Sequence, residues 1–190
     1  MTSTSQTNRL DLLRSDVAAW NSQRAAGNSV IGSLADTDLT GTNLVGADLA
    51  GVDLTGADLS GADLTDAILA GANLTSTEFV GAVLVRADLT GAVAHDANFT
   101  GAYLTRAVLR GADLTMAYLT STFLGHADLA GADLSAAYMT GAYLGGATLT
   151  GATLTGAYLG RANLTGATIA TALDGADLTA ATMPDGTVLD

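Results

Sequence analysis

Residues 51–65 read GVDLTGADLSGADLT, and within this stretch an Asp-Leu pair returns every five residues. Followed in both directions, the same spacing places an apolar residue at 31 positions between Leu34 and Met183. The apolar residue is Leu in most repeats, and the residue two places before it is nearly always Ala. The phase slips by one residue after Ile169 and then resumes. We therefore interpret most of the chain as one tandem array.

A five-residue period matches neither regular secondary structure. In a helix, successive Leu residues would be rotated by about 140°, and in a continuous strand they would alternate between opposite faces. One apolar face forms only if the chain turns once in every repeat, so that Leu and Ala point inward and the other three positions point outward. Gly is common at the second position after Leu, as at Gly41 and Gly46, and supplies the positive φ that such corners often require.

Two repeats match a known motif directly, namely ADLSG at 57–61 and ANLTS at 72–76. The motif is a small residue, Asp or Asn, Leu or Phe, Ser or Thr, and then Gly or a variable residue. Over residues 31–183 the sequence resembles the pentapeptide repeat family. That resemblance implies an all-β solenoid, the right-handed quadrilateral β-helix with four repeats per coil.

Residues 20 positions apart share their character, as four repeats per coil require. The series are Gly51, Gly71, Gly91, Gly111, Gly131 and Gly151; Phe79 and Phe99; and Arg86, Arg106 and His126. These series do not continue at a spacing of 15, so three repeats per coil fit less well. We expect about eight coils and a rod about 35–40 Å long, given a strand spacing of roughly 4.8 Å.

The ends of a solenoid expose apolar cross-sections that need cover. We expect residues 1–30 to hold a disordered start and an amphipathic capping helix over 9–25, with Asn8 as N-cap and Gly27 as the stop. Its apolar stripe consists of Leu10, Leu13, Val17 and Trp20. The solenoid then spans 31–183, and 184–190 form a capping tail in which Val188 and Leu189 fold back over the last coil.

Composition excludes several classes of function. The chain has 19 acidic residues against seven basic ones, all of them Arg, so its net charge is −12. Such an acidic surface argues against direct binding to nucleic acid or to anionic membranes. There is no Cys, no long apolar run and no apolar segment typical of a secretory signal, so we expect a cytoplasmic chain without membrane spans. The two His residues fall on different outer columns without a fixed nucleophile or second ligand. We expect no enzyme activity, metal or cofactor.

The outward residue just before each Leu gives the most informative surface columns. Two adjacent columns carry every Tyr of the chain in their carboxy-terminal half, and the corners between them are small residues. These aromatic residues are Tyr103, Tyr118, Phe123, Tyr138, Tyr143 and Tyr158. Two stacked ladders there would flank one edge and form a candidate interface for a homodimer or another protein, because aromatics are enriched at interface cores. The alternative is that stacked neighbours only stabilise each other.

Acidic residues concentrate in the amino-terminal half. The predicted acidic surface consists of the residues before Leu or Phe, namely Asp38, Asp48, Asp53, Asp58, Asp63 and Glu78, and Asp36 and Asp66 lie among them. Some pentapeptide repeat proteins protect DNA gyrase as DNA-like dimeric rods, so the resemblance implies gyrase as a candidate partner. Those members also carry more Phe at the core position and a carboxy-terminal dimer helix, and neither is visible here. Asp before Leu is also the family default. The sequence therefore favours a scaffold or protein-interaction rod, with a DNA-mimicking modulator of gyrase as the alternative.

Overall fold

The computed structural model describes residues 10–26, 33–170, 173 and 175–190. The residue before each central Leu forms a parallel bridge with the residue 20 positions later, as in Asp38 with Asp58 and Asp58 with Glu78. Each strand is a single bridge residue, and a turn separates it from the next. Four repeats therefore complete one coil. The expected right-handed quadrilateral β-helix with a helical amino-terminal cap is confirmed.

One repeat shows why the motif has its sequence, because all five backbone amides of residues 59–63 find acceptors. Leu59 and Gly61 donate to the next coil over 2.7 and 2.9 Å, and Asp63 donates to the previous coil over 2.9 Å. Ala62 closes the turn by donating to the Leu59 carbonyl over 3.0 Å. The amide of Ser60 donates to a carboxylate oxygen of Asp58 over 2.9 Å. Asp or Asn before Leu thus satisfies the one amide that the coils leave unpaired.

The corners of the rod need a left-handed backbone. The second residue after Leu has φ near +60° both where it is Gly, as at Gly101 (φ 66°), and where it is not, as at Arg106 (φ 61°). For a residue with a Cβ, that conformation is less stable by roughly 1–2 kcal/mol. This difference accounts for the frequency of Gly at this position.

The interior is filled by the inward Leu and Ala residues, which are almost all completely buried from Leu34 to Leu164. Phe79 and Phe99 stack in the core with ring centroids 4.8 Å apart and planes 2° from parallel. Thr122 takes the place of an inward Ala, and its buried hydroxyl donates to the Phe99 carbonyl over 2.8 Å. A close-packed interior of this kind leaves function to the outer surface.

The amino-terminal cap consists of two helical segments, α1 at the described residues 10–15 and α2 at Val17–Ala25. The prediction of one continuous helix is wrong, because Asp16 has an extended φ of −151° and its carboxylate accepts the Ala19 amide over 2.9 Å. Asn8, Gly27 and the disordered start lie outside the described residues. Neither described helical segment has the length and apolar character needed to cross a bilayer.

The predicted apolar stripe does face the first coil. Leu13 and Trp20 are buried, and Leu10 and Val17 pack against the same core while partly exposed. The cap therefore covers the amino-terminal cross-section of the rod.

Side chains of α2 also replace the hydrogen bonds of a missing preceding coil. The indole Nε1 of Trp20 donates to the Asp48 carbonyl over 2.8 Å, and the Asp48 amide donates to Oδ1 of Asn21 over 2.8 Å. The guanidinium of Arg24 donates to the Ala50 carbonyl. Inside the rod, carbonyls at these positions accept backbone amides from the coil before. The cap thus terminates the backbone ladder on one side of the first coil.

The carboxy-terminal end is covered less completely. Bridges between Tyr158 and Asp177 and between Asn163 and Thr182 span 19 residues, so the phase slip after Ile169 is present in the structure. Val188 folds back and pairs antiparallel with Thr182, yet it is 63% exposed. The tail therefore lies beside the last coil instead of over it. Five apolar residues of this end remain only partly buried: Ile169, Leu173, Ala176, Leu178 and Met183.

Candidate interaction faces

The rod has four faces. We number them 1 to 4 in chain order, by the outward residues that precede Leu34, Leu39, Leu44 and Leu49. Face 2 presents Asp38, Asp58, Glu78, Asn98, Tyr118, Tyr138, Tyr158 and, after the phase slip, Asp177 in successive coils. Face 3 presents Asn43, Asp63, Val83, Tyr103, Phe123, Tyr143, Asn163 and, after the phase slip, Thr182. The corner where their aromatic halves meet is the aromatic edge. The structure thus brings together the six aromatic residues that the sequence singled out.

The three tyrosines of face 2 form a continuous stack. Ring centroids are 5.0 Å apart between Tyr118 and Tyr138 and 5.1 Å apart between Tyr138 and Tyr158, with interplanar angles of 11° and 2°. Tyr118 and Tyr158 remain 42% and 45% exposed. The hydroxyls of the three rings donate to no residue that the structure describes. The stack therefore leaves a row of phenol groups facing outward.

Face 3 departs from the expected second ladder at its last ring. Tyr103 and Phe123 stack with centroids 4.9 Å apart. The ring of Tyr143 instead lies over Gly125 and Gly145, since a Cβ on Gly145 would lie 2.5 Å from its hydroxyl oxygen. Most other coils have Thr or Val at these two positions. The missing Cβ atoms make room for the ring, and the second ladder is a pair.

The corner between face 3 and face 4 carries basic side chains. The guanidinium of Arg86 makes two hydrogen bonds of 2.6 Å to the Asp66 carboxylate and lowers the pKa of that carboxyl below its usual value. One coil further on, Arg106 is exposed and forms no ion pair with a described residue. His126 follows, and its ring lies against Gly146. This corner interrupts the acidic surface of the rod.

The six acidic residues that the sequence predicted as an acidic surface each accept a hydrogen bond. Asp58 and Asp63 each accept the amide two residues on, over 2.9 Å. Hydrogen bonds from the hydroxyl and the amide of Thr40 lower the pKa of Asp38. For Asp48 burial raises the pKa, but the hydrogen bond from Arg24, 3.1 Å away, helps to bring it below its ordinary value.

The remaining two predicted acidic residues are likewise engaged. Hydrogen bonds from the hydroxyls of Ser33 and Thr55 lower the pKa of Asp53. Glu78 accepts the side-chain amide of Asn98 over 2.7 Å. The recurrence of Thr or Ser two residues after Asp signals the amide-capping role in the sequence. The engagement of Asp48 by Arg24 has no such local signal.

His95 does lie beside a hydroxyl, which the sequence did not reveal. Its Nδ1 is 2.8 Å from Oγ1 of Thr115, and that hydroxyl donates to Asp113 over 2.7 Å. Because the single hydroxyl hydrogen goes to the carboxylate, Nδ1 must donate to the oxygen and does not act as its base. The group is a hydrogen-bonded surface ladder and lacks the arrangement of an activated nucleophile.

Comparison with known proteins identifies the family. The family model described as pentapeptide repeats matches in eight copies over residues 33–71, 67–106, 87–125 and 127–166. The chain belongs to the pentapeptide repeat family. No curated protein sequence matches this pentapeptide repeat protein significantly.

Two solved structures resemble this pentapeptide repeat protein over most of its length. HetL, a pentapeptide repeat protein involved in heterocyst differentiation regulation in the cyanobacterium Nostoc, is 35% identical. The match covers 80% of this chain and 78% of HetL with a TM-score of 0.66. QnrB1, a plasmid-mediated fluoroquinolone resistance protein, is 22% identical over 77% of this chain and 72% of its own, with a TM-score of 0.57. The second likeness shows the fold alone.

Proposed function

We propose that this pentapeptide repeat protein is a non-catalytic protein-interaction rod that self-associates through its aromatic edge. The observation that carries the proposal is the set of six aromatic side chains on two adjacent faces. Five of them are 42–46% exposed: Tyr103, Tyr118, Phe123, Tyr143 and Tyr158. Contiguous exposed apolar patches of this kind mark interaction sites, and aromatic residues are enriched at the cores of protein interfaces.

Stacking within one rod uses only part of what these side chains offer. Each ring in a stack at about 5 Å contacts its neighbours through its faces, while the outer ring edges and the hydroxyls stay in solvent. Stacked cross-strand pairs are worth about 0.2–1 kcal/mol each, which polar pairs elsewhere on the rod also supply. A partner surface laid along the edge would bury the remaining area.

Sedimentation velocity tests self-association. We expect wild-type protein to show a concentration-dependent shift toward a dimer, and Tyr118→Ser/Tyr138→Ser to shift toward a monomer. The matched control is Ile68→Ser/Val108→Ser, which removes two outward apolar residues from another face. The control should sediment like wild type. An unchanged mass for the tyrosine variant would show that the edge is not the interface.

A second candidate function is a DNA-like inhibitor or protector of a type II topoisomerase. The observation that favours it is the row of carboxylates in the amino-terminal half of face 2, spaced by one coil: Asp38, Asp58 and Glu78. A supercoiling assay with DNA gyrase, with and without a fluoroquinolone, tests this function. Mimicry predicts a response at stoichiometric protein, and no response at tenfold excess would eliminate it.

A further inference from the structure

From Asp38 to Tyr158 the order of residues along face 2 is self-complementary. In these seven coils the outward side chains are three carboxylates, then Asn98, then three phenols: Asp38, Asp58, Glu78, Asn98, Tyr118, Tyr138 and Tyr158. Asp177 continues the column by one position and in a reversed copy lies one level beyond Asp38. If the column is reversed and laid against itself, each of the first three carboxylates meets a phenol and Asn98 meets its own copy. This is the property that a twofold interface requires, because the same patch serves both partners.

We propose that two copies of this chain pair side by side and antiparallel through face 2, with the twofold axis at the level of Asn98. The proposal rests on the self-association proposed above and names the partner surface and its register. Asp58 of one copy lies opposite Tyr138 of the other. The two flanking pairs are Asp38 with Tyr158 and Glu78 with Tyr118.

The geometry of the column allows all of these contacts to form together. Parallel bridges link each outward residue of face 2 to the one 20 positions later, from Asp38 through to Tyr158. The tyrosine rings repeat at 5.0 and 5.1 Å and stay within 11° of parallel. Because each level is bridged to the next one coil away, reversal about Asn98 keeps the levels in step. Alignment at Asn98 therefore aligns the outer pairs as well.

Each opposing pair can make a hydrogen bond. One oxygen of Asp58 accepts the Ser60 amide, and one oxygen of Glu78 accepts the Asn98 side chain over 2.7 Å. The second oxygen of each accepts no hydrogen bond from a described residue. The facing phenols likewise donate to none. A phenol donating to a carboxylate forms a short, charge-assisted hydrogen bond.

Charge selects the antiparallel arrangement over the parallel one. Parallel pairing of face 2 would set each carboxylate against its own copy, whereas antiparallel pairing sets it against a neutral donor. Arg161 adds to this preference, since it occupies the corner beside Tyr158 and the pairing brings it to the level of Asp38 in the second copy. Face 3 has no comparable symmetry, because its acidic and aromatic residues are not equal in number about any position.

The contact area predicts a weak dimer. The seven paired levels from Asp38 to Tyr158 give a contact about 34 Å long and roughly 10 Å wide, taking the spacings of adjacent strands and of packed sheets. The two copies together bury on the order of 700 Å² of flat surface, which lies in the range of transient interfaces. We expect a dissociation constant weaker than about 1 µM.

Cross-linking of single cysteines tests the register, since the natural chain has no Cys. With a short bis-maleimide, Asn98→Cys should cross-link to its own copy. Tyr138→Cys alone should not, because its two copies lie four coils or about 19 Å apart. A mixture of Asp58→Cys and Tyr138→Cys should give a cross-linked heterodimer. Val108→Cys, on another face, serves as the control that should stay monomeric.

Variants that introduce or reverse a charge on face 2 provide an independent readout. Tyr138→Asp sets two carboxylates against each other and should weaken association roughly tenfold, which corresponds to about 1.4 kcal/mol. Adding Asp58→Arg to this variant should restore association. Asp58→Arg/Tyr118→Asp should not, because Tyr118 faces Glu78. Equal behaviour of the two double variants would overturn the register.

The outcomes separate the two proposals. If wild-type protein stays monomeric at every concentration, both self-association and the face 2 register are wrong. If it dimerises but Asn98→Cys does not cross-link, self-association stands and the antiparallel face 2 pairing is wrong. Self-cross-linking at Asn98 together with the specific charge rescue supports both.

Discussion

Replacing Asn21 with Ala removes two hydrogen bonds between the cap and the first coil. Nδ2 of Asn21 donates to the Gly46 carbonyl over 2.9 Å, and Oδ1 accepts the Asp48 amide over 2.8 Å. A hydrogen bond of this kind contributes about 0.5–1.5 kcal/mol net. We therefore expect Asn21→Ala to weaken docking of α2 by about 1–3 kcal/mol.

The chain contains its own reporter for this change. Trp20 is the only tryptophan, is 2% exposed and lies next to Asn21, so its fluorescence follows the cap. Far-ultraviolet circular dichroism follows the rod. In a urea titration of Asn21→Ala, the fluorescence transition should move to lower urea and should precede the change in circular dichroism. Units of a solenoid contact only their neighbours, which allows the cap to separate first.

Ser22→Ala is the matched control for this experiment. The Ser22 hydroxyl donates to the Ala18 carbonyl within α2 and takes no part in the contact with the first coil. Its fluorescence transition should stay close to that of wild type. Coincident transitions for Asn21→Ala, Ser22→Ala and wild type would refute the docking role of Asn21.

Three further predictions concern the stability of the rod. Phe99→Ala removes a buried ring from the core stack and should lower the free energy of unfolding by about 3–5 kcal/mol in urea titrations; a loss below 1 kcal/mol would contradict the described packing. Arg106→Gly relieves a positive φ and should raise the thermal midpoint, with a contribution of about 1 kcal/mol, so a lower midpoint would count against corner strain. Several carboxyls have a folded-state pKa below the usual value, so their stabilising contribution is complete above about pH 4 and is lost as the pH falls further. Thermal midpoints should therefore drop between about pH 4 and pH 2, and a flat profile would refute the role of these groups, which include Asp38, Asp48 and Asp53.

The fold could be predicted from the sequence because every repeat reports the same geometry independently. A five-residue period excludes both regular elements, and series such as Phe79 and Phe99 fix the number of repeats per coil. The same rule sorts outward residues into faces, so the neighbours of Tyr138 follow from adding or subtracting 20. Local periodicity carries this information without knowledge of distant contacts.

The details that the sequence did not reveal depend on contacts outside the repeat. The break at Asp16 arises because its carboxylate caps α2, in competition with a continuous helix. The ring of Tyr143 leaves its stack because two glycines one position after Leu open a space for it. The pairing of Arg24 with Asp48 joins residues 24 positions apart across the cap. None of these follows from the five-residue period.

Small-angle X-ray scattering over a concentration series tests the central claim most directly. Side-by-side antiparallel pairing predicts that the mass doubles with concentration while the maximum dimension stays close to the length of one rod. Tyr118→Ser/Tyr138→Ser should keep the mass of a monomer throughout. A constant monomer mass for wild type, or a dimer with twice the length of one rod, would contradict the account.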